Sequence, residues 1–353
     1  MSPLRKLSTG SQETENKKMI IENYQHKMAA HCESGALTSL LNCSGMKITE
    51  PMVFGISSGI FFGYFHAMKS FAFPTFIVRN RPGQMRKNLG KRTGVKFYTK
   101  EFKDQLKGEQ ALDLLISQGI PTATQVDFFY LDYVPSWERV HLNVHFIVVI
   151  GKDGETYKVS DSYFPQLVDL PADSMNKGRF AQGNMSPKGF LFYPRFVPES
   201  FNYEKAIRKG IKKACFNMLS IPIPFLGIKG IRLFAKKITE WPAMARDTEH
   251  LSHEVMKINI LLEDQGTGGA GFRFMYATFL QQASEIIHKP ELKGLATELM
   301  EIGDGWREFS LFAAKLGKNR DLGPDKFKQM STLLYERADK EEAFFKRLSK
   351  TIK

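Results

Sequence analysis

Hydrophobic periodicity changes once along these 353 residues, and that change does most to set the fold class. Up to about Tyr193 short apolar runs alternate with turn residues, whereas beyond about Pro198 the chain reads as helix after helix. Such a pattern predicts an α+β domain followed by an all-α domain. The prolines of PRFVPES, Pro194 to Ser200, interrupt it, so the boundary is drawn between residues 19–197 and 198–353. The polar start, MSPLRKLSTGSQETENKK, reads as a flexible lead-in over 1–18 and has no apolar run of the kind a secretory signal needs.

In the first part Ala36, Leu37, Leu40 and Leu41 recur at helical spacing and Gly45 is placed to end that helix, so Cys32 sits at a helix start. Residues 102–118 form a second amphipathic helix, and strands are expected over 75–78, 122–128, 144–150, 156–159 and 190–193. In the second part helices are expected over 203–215, 247–262, 273–287, 291–315 and 325–349, with Gly303 and Gly305 breaking the fourth.

A composition of 42% hydrophobic and 25% charged residues is that of a globular protein. Pro51 to Met68, PMVFGISSGIFFGYFHAM, approaches the length of a membrane span but carries Gly, Ser and His throughout, and reads as a close-packed core segment. Three cysteines, Cys32, Cys43 and Cys215, show neither a disulfide framework nor a zinc spacing, which places the chain in a reducing, cytoplasmic setting with no bound metal. A net charge of +13 suits an anionic partner. Without a zinc finger, an aromatic RNA-binding motif or a DNA-reading basic helix, nucleic acid is excluded.

Two segments carry chemistry. AHCESGALTSLL puts Cys32 where free amides and the helix dipole favour a thiolate. VHFIVVIGKDGETYKVSDSYF places His145 at the head of an apolar strand and Asp161 at the far end of the returning one. Nucleophile, base and orienting carboxylate on a helix start and neighbouring strands are the Cys-His-Asn/Asp plan of papain-like enzymes. His141 is the rival base, and the lesser alternative for Asp161 is an acid that caps a turn. A plain two-residue turn at Asp153-Gly154 would set Asp161 opposite Phe146, facing away from His145. The plan therefore requires a departure from that hairpin: a three-residue connection with a bulge, putting Asp161 opposite Ile147, or a bend at Ser160.

HCESGAL, then ITEPMVFGISSGIFFGY, HFIVVIG and VSDSYF, with LLEDQGTGGAGFRFMYATFLQQA downstream, together resemble the butirosin biosynthesis protein H family and, more distantly, papain-like bacteriocin-processing peptidases. The resemblance implies a papain-like fold followed by a helical domain. It implies an acyltransferase of secondary-metabolite biosynthesis that moves an acyl group from an acyl carrier protein to a small-molecule acceptor, an aminoglycoside-like amine or the hydroxyl of a lipid-like aromatic. No cofactor is resident, because 4′-phosphopantetheine arrives on the carrier. The alternatives are a papain-like peptidase or thioesterase, and a non-catalytic scaffold that binds carrier proteins or membranes. Papain-like peptidases carry a glutamine six residues before the cysteine; here His26 stands there and Gln25 one residue earlier, so the side-chain oxyanion donor is His26 before Gln25. His31 beside the nucleophile reads as a local hydrogen-bonding residue, and Glu50 as a residue that fixes the nucleophile's helix or as an exposed helix-start acid.

GTGGAG at 266–271 lacks the lysine and Ser/Thr of a phosphate loop and reads as a tight interhelical connection. If that loop faces the first domain, Arg273 and Tyr276 line a channel for the carrier arm. From Lys205 to Lys237 nine basic residues lie among apolar ones, fitting an acidic carrier protein, peripheral membrane contact or an ordinary packed helix pair.

Overall fold

The computed structural model describes residues 19–66 and 72–352. The lead-in over 1–18 and Met68 lie outside them. The first half is built on an antiparallel sheet. Its strands are β1 (Met19–Ile20), β4 (Lys96–Lys100), β5 (Thr122–Val126), β6 (His145–Asp153), β7 (Thr156–Ser160), β8 (Val168–Pro171) and β9 (Leu191–Phe196), while β2 (Ile60–Phe65) and β3 (Thr75–Arg79) form a separate hairpin. The main sheet runs β4-β9-β5-β6-β7-β8, with β1 beside β6. Helices α1 (Cys32–Cys43), α2 (Glu50–Ile56), α3 (Gln84–Thr93), α4 (Gln105–Ser117) and α5 (Ala172–Arg179) accompany it. Beyond the sheet follow α6 (Tyr203–Leu219), α7 (Gly227–Lys237), α8 (Trp241–Met244), α9 (Thr248–Asn259), α10 (Arg273–Ile286), α11 (Glu291–Asn319) and α12 (Pro324–Thr351). The α+β-then-all-α order follows the switch in periodicity.

The two halves share their core. The uncharged segment from Pro51 is helix, turn and strand: α2, then β2, whose Phe62 stacks on Phe234 and Trp306 of the helical half. Tyr64 accepts a 3.0 Å hydrogen bond from the Trp241 indole. No helix among the described residues is long and apolar enough to cross a membrane.

The expected break in the fourth C-terminal helix does not occur, since α11 runs unbroken through Gly303 and Gly305. Those glycines serve close packing: a Cβ on Gly305 would fall 1.6 Å from Arg337 Nη1, and one on Gly303 2.5 Å from the Phe274 ring. Glycine in a helix signals a break only where no neighbour occupies the space its side chain would take.

The β6–β7 hairpin departs from the plain form, by a device other than the one anticipated. Its turn still has two residues, but they are Gly154 and Glu155, with Asp153 paired to Thr156 and Gly154 at φ 57°. A bulge at Ile150 then shifts the register, so that Val148 faces Ser160. Continuing one step sets Asp161 opposite Ile147, on the face of His145.

Candidate active site

The position of Cys32 is set by three groups that fix the chain entering α1. The Glu50 carboxylate accepts from Ala30 N (2.8 Å), His31 N (3.0 Å) and Ser34 Oγ (2.7 Å). Thr49 caps α2 and so aims that carboxylate at α1. Gly35 lets the Asp161–Ser162 corner approach, since a Cβ there would meet Ala29 Cβ at 2.6 Å and Ser162 Cβ at 3.0 Å. With the amides of Ala30 and His31 taken by Glu50, those of the first helical turn, beginning at Cys32, remain to face a ligand.

His145 opens β6, pairs with Val126 and is buried. Its Nε2 donates to Asp161 Oδ2 at 2.8 Å, which leaves Nδ1 outside that pair, and the Cys32 sulfur is the other side chain that favours its charged form. Asp161 is fully buried and also accepts from Tyr133 OH (2.9 Å) and Tyr163 N (3.0 Å). Burial opposes its charge, yet His145 and these donors hold its carboxyl below the ordinary range. Burial likewise opposes the imidazolium, and Asp161 and Cys32 overcome it, pushing His145 up to about 10. The Phe128 ring stands edge-on to His145 at 5.1 Å and limits its rotation.

Cys32 is half-buried, and both His31 and His145 act on its thiol. His31 Nδ1 is 4.0 Å from the sulfur, and as a thiol Cys32 donates to Val144 O at 3.8 Å. Burial disfavours the thiolate, but the charge of His31 and the hydrogen bonds from His145 and His31 outweigh it and hold the thiol well below its ordinary value. Cys43 and Cys215 have no such neighbours and are pushed up by burial, Cys215 to about 12. All three are free thiols.

Other expected site residues lie elsewhere. His26 is not an oxyanion donor: Ser160 Oγ donates to its Nδ1 (2.7 Å), its Nε2 donates to Phe164 O (3.0 Å), and the ring braces the β7 end with no N–H to spare. Gln25 is exposed. The rival base His141 precedes β6, is bound to Asp127 Oδ2 at 2.7 Å and stacks on Phe129. The 266–271 loop does face the first half, with Gly266 and Gly268 against Ala30 and His31, and Phe272 edge-on to His31 at 5.2 Å. Arg273 and Tyr276 nevertheless line no channel. Both are fully buried, Arg273 paired to Glu341 at 2.8 Å and stacked on Trp306. The helix after the glycine loop turns them into the helical core, away from the nucleophile.

Sequence reasoning missed Tyr133, which comes from a loop without periodicity, and Glu33. The Glu33 carboxylate, next to the nucleophile, is buried on Arg79 (3.1 Å) and Gly83 N (2.9 Å) and ties α1 to the start of α3. Among the described residues no cluster of His, Cys, Asp or Glu could hold a metal ion.

The arrangement is that of a papain-like cysteine enzyme: a helix-start cysteine against an antiparallel sheet that carries the histidine at the head of β6 and the carboxylate just past the end of β7. Residues 31–162, which span Cys32, His145 and Asp161, match the N-terminal domain of butirosin biosynthesis protein H. Residues 173–348 match a domain of unknown function. A search of curated proteins found no match. Among solved structures the chain is similar to a C39-like peptidase from Bacillus anthracis, 13% identical at a TM-score of 0.36, covering 52% of this chain and 100% of that one. The helix that begins at Cys32, the histidine strand and the Asp161 corner all lie inside the matched segment, so residues 31–162 belong to the butirosin biosynthesis protein H N-terminal family, and a helical half follows them.

Proposed function

We propose that this protein is a cysteine-dependent acyltransferase, taking an acyl group from the 4′-phosphopantetheine thioester of an acyl carrier protein to an amine or hydroxyl of a small acceptor in secondary-metabolite biosynthesis. The observation that carries the reading is Cys32 at the start of α1, its sulfur 3.8 Å from the carbonyl of Val144 next to His145, with His145 anchored at 2.8 Å to buried Asp161. The resting pair is thiolate and imidazolium. The Cys32 sulfur attacks the thioester carbonyl, the C–S bond to the carrier breaks, and His145 gives its proton to the departing pantetheine thiol. One thioester replaces another, so activation of the acyl group is retained. The acceptor then attacks acyl-Cys32, its proton passes to the now neutral His145, and the Cys32 thiolate leaves.

Oxyanion stabilisation here falls to backbone amides of the first turn of α1, Cys32 foremost, because His26 has both ring nitrogens engaged. A thioester carbonyl is less resonance-stabilised than an amide and needs less help, which favours carrier thioesters over peptides. Exposed Trp137 and Val140, in the segment that precedes β6, and exposed Tyr163, beside Asp161, offer apolar surface to the incoming acyl carrier. Three free thiols suit a reducing, cytoplasmic setting.

Labelled acyl carrier protein incubated with the enzyme and a panel of amines and alcohols tests the assignment. Label appearing on an acceptor supports transfer, and label appearing only as free acid makes the protein a thioesterase.

A further inference from the structure

We infer that the outward face of the α6–α7 hairpin is a docking surface for an anionic lipid membrane. The inference is independent of the catalytic reading. Residues 205–237 contain no acidic side chain, and the cations that are fixed by ion pairs there find partners outside the segment: Arg208 on Glu204, Arg232 on Asp339 and Glu342, Lys237 on Glu240. Lys205, Lys209, Lys212, Lys213, Lys229 and Lys236 are exposed and form no ion pair among the described residues. On α6 the first four fall on one face, and the same face ends at exposed Phe216, with Lys213 Nζ 4.4 Å from its ring centroid. The opposite face, Ala206, Ile207, Gly210, Ile211 and Ala214, is buried, so the lysine stripe is what the packed helix leaves to solvent.

The geometry of the hairpin puts both helices' free faces on one side. α6 and α7 each pack on α12 and β2, and the connection between them is tied down where Tyr64 N donates to Phe225 O at 2.9 Å. That connection, SIPIPFL over 220–226, exposes Pro222, Pro224 and Phe225. Lysines around a protruding aromatic-proline tip fit a phospholipid interface: the ammonium groups meet headgroup phosphates while the rings enter the boundary below. A shallow groove there is lined by Asn202, Glu204, Lys205, Arg208, Lys209 and Lys212, four cations to one acid. An acidic protein is the poorer fit, because recognition of fixed carboxylates favours guanidinium forks, and both arginines of the segment are already committed.

The test is co-sedimentation of the full chain with phosphatidylcholine vesicles, with and without roughly one third phosphatidylglycerol. Binding is expected only to the anionic vesicles and to weaken steeply with salt. The triple variant Lys205→Gln, Lys209→Gln, Lys212→Gln is expected to lower the partition coefficient roughly a hundredfold, at about fivefold per lysine. All three are exposed, so folding is preserved. Phe216→Ser with Phe225→Ser is expected to weaken binding while leaving its salt dependence unchanged. Trp137→Ser, on the other exposed apolar surface, should leave binding intact. Equal binding to both vesicle types, indifference to the lysine variant, or loss on Trp137→Ser overturns the inference. So does a lysine variant that loses affinity for an acidic carrier protein while the native chain ignores anionic vesicles at low salt.

Discussion

Replacing Asp161 by asparagine removes one charge from the site with little change in shape, and its consequence follows from the geometry. Burial alone would keep the His145 imidazole neutral; the carboxylate 2.8 Å away, with the Cys32 sulfur, pushes it up to about 10. Against an ordinary imidazole near 6.5 that is roughly 3.5 pH units, or about 5 kcal/mol of preference for the charged form. Two unit charges at this separation in an effective dielectric near 20 attract by about 6 kcal/mol, so the carboxylate is large enough to supply most of it. In Asp161→Asn the imidazolium is lost near neutrality, and Cys32 keeps only His31 as a cationic neighbour. The sign is definite: native Cys32 should react with iodoacetamide at a rate flat from neutral pH up to about 10. In the variant, reactivity should climb with pH toward the ordinary thiol range near 8.5. An ordinary thiol is only a few per cent ionised at pH 7, so with the His31 contribution retained the rate there should fall by up to about thirtyfold. Alkylation read by peptide mass mapping serves as the assay, with Cys43 and Cys215, both raised by burial, as slow internal references. An unchanged plateau in Asp161→Asn would refute the coupling of carboxylate, imidazole and thiol.

Glu50→Ala leaves the Ala30 and His31 amides and the Ser34 hydroxyl without their acceptor, and should cost about 3 kcal/mol in urea unfolding while slowing Cys32 alkylation; Glu50→Gln should recover part of both. Arg273→Ala strands the Glu341 carboxylate in the helical core and should destabilise by about 3–5 kcal/mol, seen as a lowered Tm, as expected of a buried pair and not of a channel residue. Gly305→Ala drives a methyl into Arg337 and should cost about 1–3 kcal/mol by the same measurement, whereas a helix-breaking glycine would be stabilised by alanine.

What was legible in the sequence was whatever repeats or alternates. Leu37, Leu40 and Leu41 declare α1 and hence the helix-start position of Cys32; the apolar run after His145 declares β6. The demand that Asp161 share a face with His145 is a parity argument, and parity revealed that the hairpin must be irregular without revealing where. The bulge falls at Ile150, inside an unbroken apolar run that gives no local sign of it. The supports of the site were less visible for a physical reason. Tyr133 on Asp161, Glu33 on Arg79 and the glycine loop on His31 join segments far apart in the chain, through single contacts that need no periodicity. Arg273 and His26 misled because a polar residue beside a suggestive motif looks available until its partners are known. Glu341 claims the first, Ser160 and Phe164 the second.

Intact-mass analysis after mixing the enzyme with acyl carrier protein, before any acceptor is added, bears most directly on the role given to Cys32. A mass increase equal to the acyl group alone is expected, mapped to the peptide holding Cys32, cleaved by hydroxylamine and missing in Cys32→Ser. An acyl mark that persists in Cys32→Ser, or full acceptor turnover by that variant, would contradict it.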